Sequence, residues 1–187
     1  MHYLVLVLVP SNTEDPRGET WRLLQPFRDM CPSCPFDERC EECALYKPGG
    51  PEPKWDWYAP GGRFDGAVRN EDPARFKRLW GLMDAWAKKP TEHGDGTVTV
   101  EFRHGDEWRE RFGQIHNEMF EANTVPVNEL PADFSCRAIV TPDGSWHDFG
   151  YANDDVGPET RREWAQKRQE LFAEHHDCLA VACDLHM

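Results

Sequence analysis

The sequence predicts an α+β fold: a ferredoxin-like split βαβ antiparallel sheet with its helices on one face, an inserted helical region and a four-cysteine zinc knuckle. Three observations carry that expectation. Apolar strands stand near both ends, at Tyr3–Val9 and Leu179–Leu185, and both are apolar at both parities, which suits strands in the middle of a sheet. Helical periodicity follows the first strand and precedes the last. Between them lies Thr141-Pro-Asp-Gly-Ser145, a turn sequence flanked by short strands.

A helix starts near Thr13–Pro16, with Trp21, Leu24 and Phe27 at helical spacing and Pro26 ending or kinking it. Residues 31–62 are rich in Pro, Gly and Cys and have no sustained period, so they read as an irregular excursion. Asp72-Pro73 supplies an N-cap and an N1 proline for a helix whose inward face is Phe76, Leu79, Trp80, Met83 and Trp86 and which stops before Pro90. Residues 91–96 read as a turn-rich link, Thr97–Phe102 as a short strand, and Trp108, Phe112, Ile115 and Met119 as one face of another helix. The stretch from about 72 to 134 therefore looks like an insertion into a single domain, 1–187. Arg137–Thr141 and Trp146-His147 form a hairpin about Asp143-Gly144. Gly157-Pro158 opens the last helix, with Trp164, Leu171 and Phe172 inward. In the closing strand Leu179, Val181, Cys183 and Leu185 share one face and Ala180 and Ala182 the other.

The chain has 187 residues, 39% of them hydrophobic, which suits one domain with a sizeable core. Its 21 Lys and Arg against 34 Asp and Glu give a net charge of −13. That field repels phosphate backbones and acidic membrane surfaces, so direct nucleic-acid binding is not expected. Mean hydropathy is −0.75. The longest apolar run, Leu4 to Pro10, is far short of the roughly 18 to 20 residues of a membrane span and lacks the flanks of a signal peptide. A soluble, cytoplasmic protein with no membrane partner is expected.

Four of the seven cysteines fall close together, as Cys31-x2-Cys34-x5-Cys40-x2-Cys43. Two C-x2-C knuckles offer four thiolates to one tetrahedral ion, and a closed four-thiolate site serves structure. The expected cofactor is thus structural Zn2+, with an iron–sulfur cluster, two disulfides or free thiols as the other readings. His175, His176, Cys178 and His186 invite a second metal site, but a helix C-terminus and a buried strand explain them as well.

The most unusual segment is Lys54-Trp-Asp-Trp-Tyr-Ala-Pro-Gly-Gly-Arg-Phe-Asp-Gly66. Rings can stack on a planar group, Gly61 and Gly62 let backbone N–H groups approach an anion, and Arg63 can fork onto phosphate or carboxylate. With Trp146 and His147 from the hairpin, the expected recognition surface is Trp57, Tyr58, Gly61, Gly62, Arg63, Trp146 and His147. The other reading is a strand whose Trp55, Trp57 and Phe64 fill the core around a glycine bulge.

The Lys54–Gly66 segment, Thr141-Pro-Asp-Gly-Ser-Trp-His147 and the closing Asp184-Leu-His186 resemble a set of uncharacterised proteins of bacteriophage and prophage genomes. The similarity covers the N-terminal strand, the aromatic segment and the final third of the chain. It implies a setting, an accessory phage product acting in the host cytoplasm, and supplies no catalytic residues.

A hydrolase can be sketched from Asp143, His147 and Asp148, or from His147 with Cys136, but no spacing makes a nucleophile, a base and an orienting group converge. The expected function is a non-catalytic, zinc-stabilised binding protein that sequesters a nucleotide-like or other small anionic ligand, or engages a host protein, against host defence. The alternative is an acidic interaction inhibitor whose −13 charge imitates nucleic acid.

Overall fold

The computed structural model describes residues 1–28, 54–71, 74–102, 105–131, 133–148 and 157–186. Cys31, Cys34, Cys40 and Cys43, the predicted zinc knuckle, lie outside the described residues. The protein is α+β with a mixed sheet.

The first strand, β1 (His2–Pro10), leads into α1 (Pro16–Leu24) and a single 3-10 turn, Gln25–Phe27. Strand β2 (Trp57–Pro60) comes next, then α2 (Ala74–Ala87), a hairpin of β3 (Lys88–Glu92) and β4 (Val98–Phe102), and α3 (Asp106–Ala122). The chain continues through β5 (Thr124–Pro126), β6 (Ala138–Val140), β7 (Trp146–Asp148), α4 (Pro158–Glu174) and β8 (Cys178–His186).

The main sheet runs β2-β8-β1-β6-β7, with β5 also on β8. β1 and β8 pair antiparallel along their whole length, from His2 opposite His186 to Pro10 opposite Cys178. The two terminal strands are thus neighbours at the centre of the sheet, as their two-sided apolar pattern requires. The other edge of β8 is shared: β2 pairs with 183–186 and β5 with 179–181. Ala182 is the join, donating its N–H to Asn123 O at 2.9 Å and accepting from Gly61 N at 2.8 Å.

The sheet differs from the ferredoxin-like expectation in two respects. β6 lies beside β1 and parallel to it, with β7 outside, so the hairpin does not interleave with β1 and the sheet is mixed, not antiparallel. The helices also cover both faces. Leu4, Leu6 and Leu8 pack with Val125, Ile139, Trp164 and Leu171, on the α4 side. Val5, Val7 and Val9 pack with Leu23, Leu24, Trp55 and Phe120, on the α1 side. A strand that is apolar at both parities needs a layer on each face, and α1 and α4 supply one each.

The stretch from 72 to 134 divides. Strands β3 and β4 form a separate two-stranded ribbon, with Val98 and Val100 exposed. Phe120, Val125, Val127 and Phe134 lie in the two cores.

Candidate ligand-binding cleft

The site grows from the start of α1. Asp15 caps the helix by accepting a 2.9 Å hydrogen bond from Gly18 N, and Pro16 occupies the first turn where its missing N–H costs nothing. The cap fixes the register that sends Arg17 towards α3, where its guanidinium donates to Asn117 Oδ1. One turn on, Trp21 packs against Trp55 and Tyr58 with ring centroids 5.8 and 5.7 Å away. Tyr58 is held on β2, and His116 of α3 meets it edge-on at 5.6 Å.

These residues border an open cleft of about 500 Å³ lined by Asp15, Arg17 and Gly18, which are exposed to solvent, and by Trp21, Tyr58 and His116. A smaller, largely apolar cavity of about 40 Å³ shares Tyr58 and His116 as its wall and is otherwise lined mainly by Phe76, Leu79, Trp80, Phe112, Ile115 and Met119 of α2 and α3. The cleft thus has an aromatic floor, a guanidinium on one wall and a greasy recess behind it.

Its electrostatics are set by burial. Burial raises the Tyr58 phenol above its usual range, with the Cys183 thiol adding to the rise, so it stays protonated. Burial first, and then the Arg17 charge, push His116 down to about 4. Its Nδ1 is buried with no hydrogen-bond partner among the described residues. Because the folded value lies below the unfolded one of 6.5, the unfolded chain binds the extra proton between these limits. Stability therefore falls as pH drops from about 6.5 to 4 and gains nothing from this group above that window. His116→Gln should flatten that part of the profile, read as urea midpoints between pH 7 and 4.5. Parallel profiles for the two proteins would show that His116 is not held neutral.

The sequence-predicted surface does not assemble as one. Tyr58 lies in the cleft. Trp57 starts β2, and its side chain is outside the described atoms. Gly61 and Gly62 have φ of 64° and 51°, and a Cβ on either would fall on the Asn123 carboxamide or the Asp184 carboxylate. The loop's anion is the protein's own: Asp184, fully buried, accepts from Arg63 N at 2.9 Å and from His2 Nδ1 at 2.9 Å. Asn123 accepts from Gly66 N and donates to Asp65 Oδ1, both at 2.9 Å, while Asp65 Oδ2 accepts from Phe76 N. The Arg63 residue is exposed.

Trp146 and His147 stand on β7, at the opposite edge of the sheet from β2, across four inter-strand spacings or roughly 19 Å. Trp146 packs on Phe27 at 5.1 Å and donates Nε1–H to Asp148 at 2.8 Å. His147 Nε2 lies 3.3 Å from Thr141 Oγ1, which donates to Asp143 at 2.6 Å. Asp143 also accepts from Ser145 N and Oγ, and these bonds hold its carboxyl down at about 2. That is the bonding of a tight turn. Burial pushes the Cys136 thiol up to about 12, so it is not a nucleophile at neutral pH.

Arg17, Trp21 and His116 carry the cleft, and no sequence motif marks them as a site. Arg17 and Trp21 are spaced i, i+4 on α1, a pattern that marks one helix face without saying what faces it. Among the described residues no three His, Cys, Asp or Glu side chains form a metal-binding group, and no helix is long and apolar enough to cross a membrane. No protein-family model, curated protein or solved structure matches the chain.

Proposed function

We propose that this is a non-catalytic binding protein that takes up a small anionic ligand with a flat or apolar body in the cleft between α1 and α3. The observation that carries the reading is the cleft itself: Arg17 stands beside the Trp21–Tyr58 floor in a space of about 500 Å³. A guanidinium supplies paired donors to a carboxylate or phosphate, and the rings supply contact area to whatever the anion is attached to. The neutral His116 and protonated Tyr58 add polar edges without adding charge. In the accessory phage setting implied by the resemblance, such a protein would sequester its ligand.

Thermal unfolding in the presence of nucleoside monophosphates, aromatic carboxylates and short alkyl carboxylates tests this. At a hundredfold excess over Kd a bound probe adds about 2.7 kcal/mol, a rise in Tm of about 5 °C or more for a chain this long. The rise should be lost in Arg17→Gln. A panel that moves Tm nowhere, or equally in both proteins, contradicts the reading. Raising salt from about 0.05 to about 0.5 M should weaken capture only modestly, whereas an acidic decoy working through the −13 surface would release its partner steeply.

The same reading includes a structural Zn2+ held by Cys31, Cys34, Cys40 and Cys43, whose thiolates match the donor set the ion prefers. Purified protein should carry one zinc per chain by elemental analysis, and Cys31→Ser or Cys43→Ser should lower both metal content and Tm. Full stability in metal-free, reduced protein would remove the zinc.

A further inference from the structure

The lining of the cleft narrows the ligand class, an inference that rests on the proposed binding reading. Arg17 is the one cation among the six lining residues, and Asp15, the only carboxylate among them, is engaged on the α1 cap. The fixed charges of the lining therefore cancel, inside a chain of net charge −13. Arg17 is also already shared with Asn117. A phosphomonoester brings about −1.5 to −2 charges at neutral pH, against the single guanidinium that the lining offers beside Asp15. One guanidinium satisfies one carboxylate.

The rest of the site asks for carbon. Trp21 and Tyr58 present ring faces and edges, and behind the Tyr58–His116 pair the 40 Å³ cavity is walled by Phe76, Leu79, Trp80, Phe112, Ile115 and Met119. A void of that size takes a few carbon atoms and offers a sugar few polar partners. We infer that the cleft is built for a monocarboxylate with an apolar body, an arylalkanoate or a short alkanoate. The carboxylate sits on Arg17, the body lies over Trp21 and Tyr58, and the distal end parts the Tyr58–His116 edge contact to enter the recess between β2, α2 and α3.

Isothermal titration with 3-phenylpropionate, its neutral counterpart 3-phenylpropanol, hexanoate, acetate and adenosine 5′-monophosphate tests the assignment. The expected order places 3-phenylpropionate and hexanoate at least tenfold tighter than acetate, 3-phenylpropanol and the nucleotide. Ile115→Trp, which fills the recess and leaves Arg17 in place, should cut 3-phenylpropionate affinity tenfold or more and leave acetate within twofold. If Ile115→Trp unfolds the protein, the order acetate, propionate, butyrate, hexanoate in the unaltered chain serves instead: affinity must rise with each methylene. Tighter binding of the nucleotide, with loss in Arg17→Gln, overturns this ligand class while keeping the cleft as a binding site. Absence of binding by every probe overturns both.

Discussion

Asn123→Ala should lower the free energy of unfolding by about 3 to 5 kcal/mol, measured by urea titration in reducing buffer. Asn123 is fully buried at the join between β2 and β5. Its carboxamide accepts from Gly66 N and donates to Asp65 and to Met119 O, each at 2.9 Å. Alanine leaves a buried N–H and part of a buried carboxylate without partners, each costing about 1 to 3 kcal/mol, and opens a void as well. A double-mutant cycle sharpens the test. In the parent chain a Cβ on Gly61 falls on the Asn123 carboxamide, so Gly61→Ala should cost markedly less once Asn123 is alanine. The φ of 64° leaves a residual strain in either background. Additive costs would mean that the glycine is not there to admit Asn123.

Trp55→Ala should cost a similar amount, about 3 to 5 kcal/mol, because a large buried ring is deleted. Trp55 is 1% exposed, packs with Val5, Val7 and Leu24, and donates Nε1–H to Leu24 O at 3.0 Å. It also supports the cleft from below through Trp21 and Tyr58. Trp55→Phe keeps most of the apolar contact and should cost less than half as much, separating packing from the lost hydrogen bond. Arg63→Ala, at an exposed position, should stay within about 0.5 kcal/mol of the parent. Equal stability of Trp55→Ala and the parent would return Trp55 to the surface.

The range of the interactions decides which elements are legible in the sequence. β1 and β8 are legible because their burial is written at every residue, and α2, α3 and α4 because their apolar faces repeat at helical spacing. The hairpin is legible from Asp143-Gly144, where Gly144 has φ 83°. The same strands hold a clue to the layers: alternating Leu and Val in β1 already call for cover on two faces, which one-sided helices cannot give. β2 is legible only as the second reading of the aromatic segment, a strand around a glycine bulge. β3 and β5 are not legible as strands: each is short, with Pro90 and Pro126 inside them, and only their pairing partners make them strands.

The aromatic segment shows why composition misleads at a site. Its residues divide three ways: Trp55 into the core, Tyr58 into the cleft, and Gly61 to Gly66 into a knot closed by Asn123, Asp65 and Asp184. Gly-Gly-Arg suggests an anion cradle, and there is one, but its anion comes from β8, 121 positions away in sequence. The cleft draws Arg17 from α1 and His116 from α3, elements no local pattern ties together.

The most direct measurement compares two arginines in one titration. With 3-phenylpropionate as the probe, Arg17→Gln should weaken binding tenfold or more, while Arg63→Gln should leave it within twofold, both proteins having the parent's thermal stability in the absence of probe. The reverse pattern, binding lost with Arg63 and kept without Arg17, would place the ligand on the glycine loop and contradict the cleft.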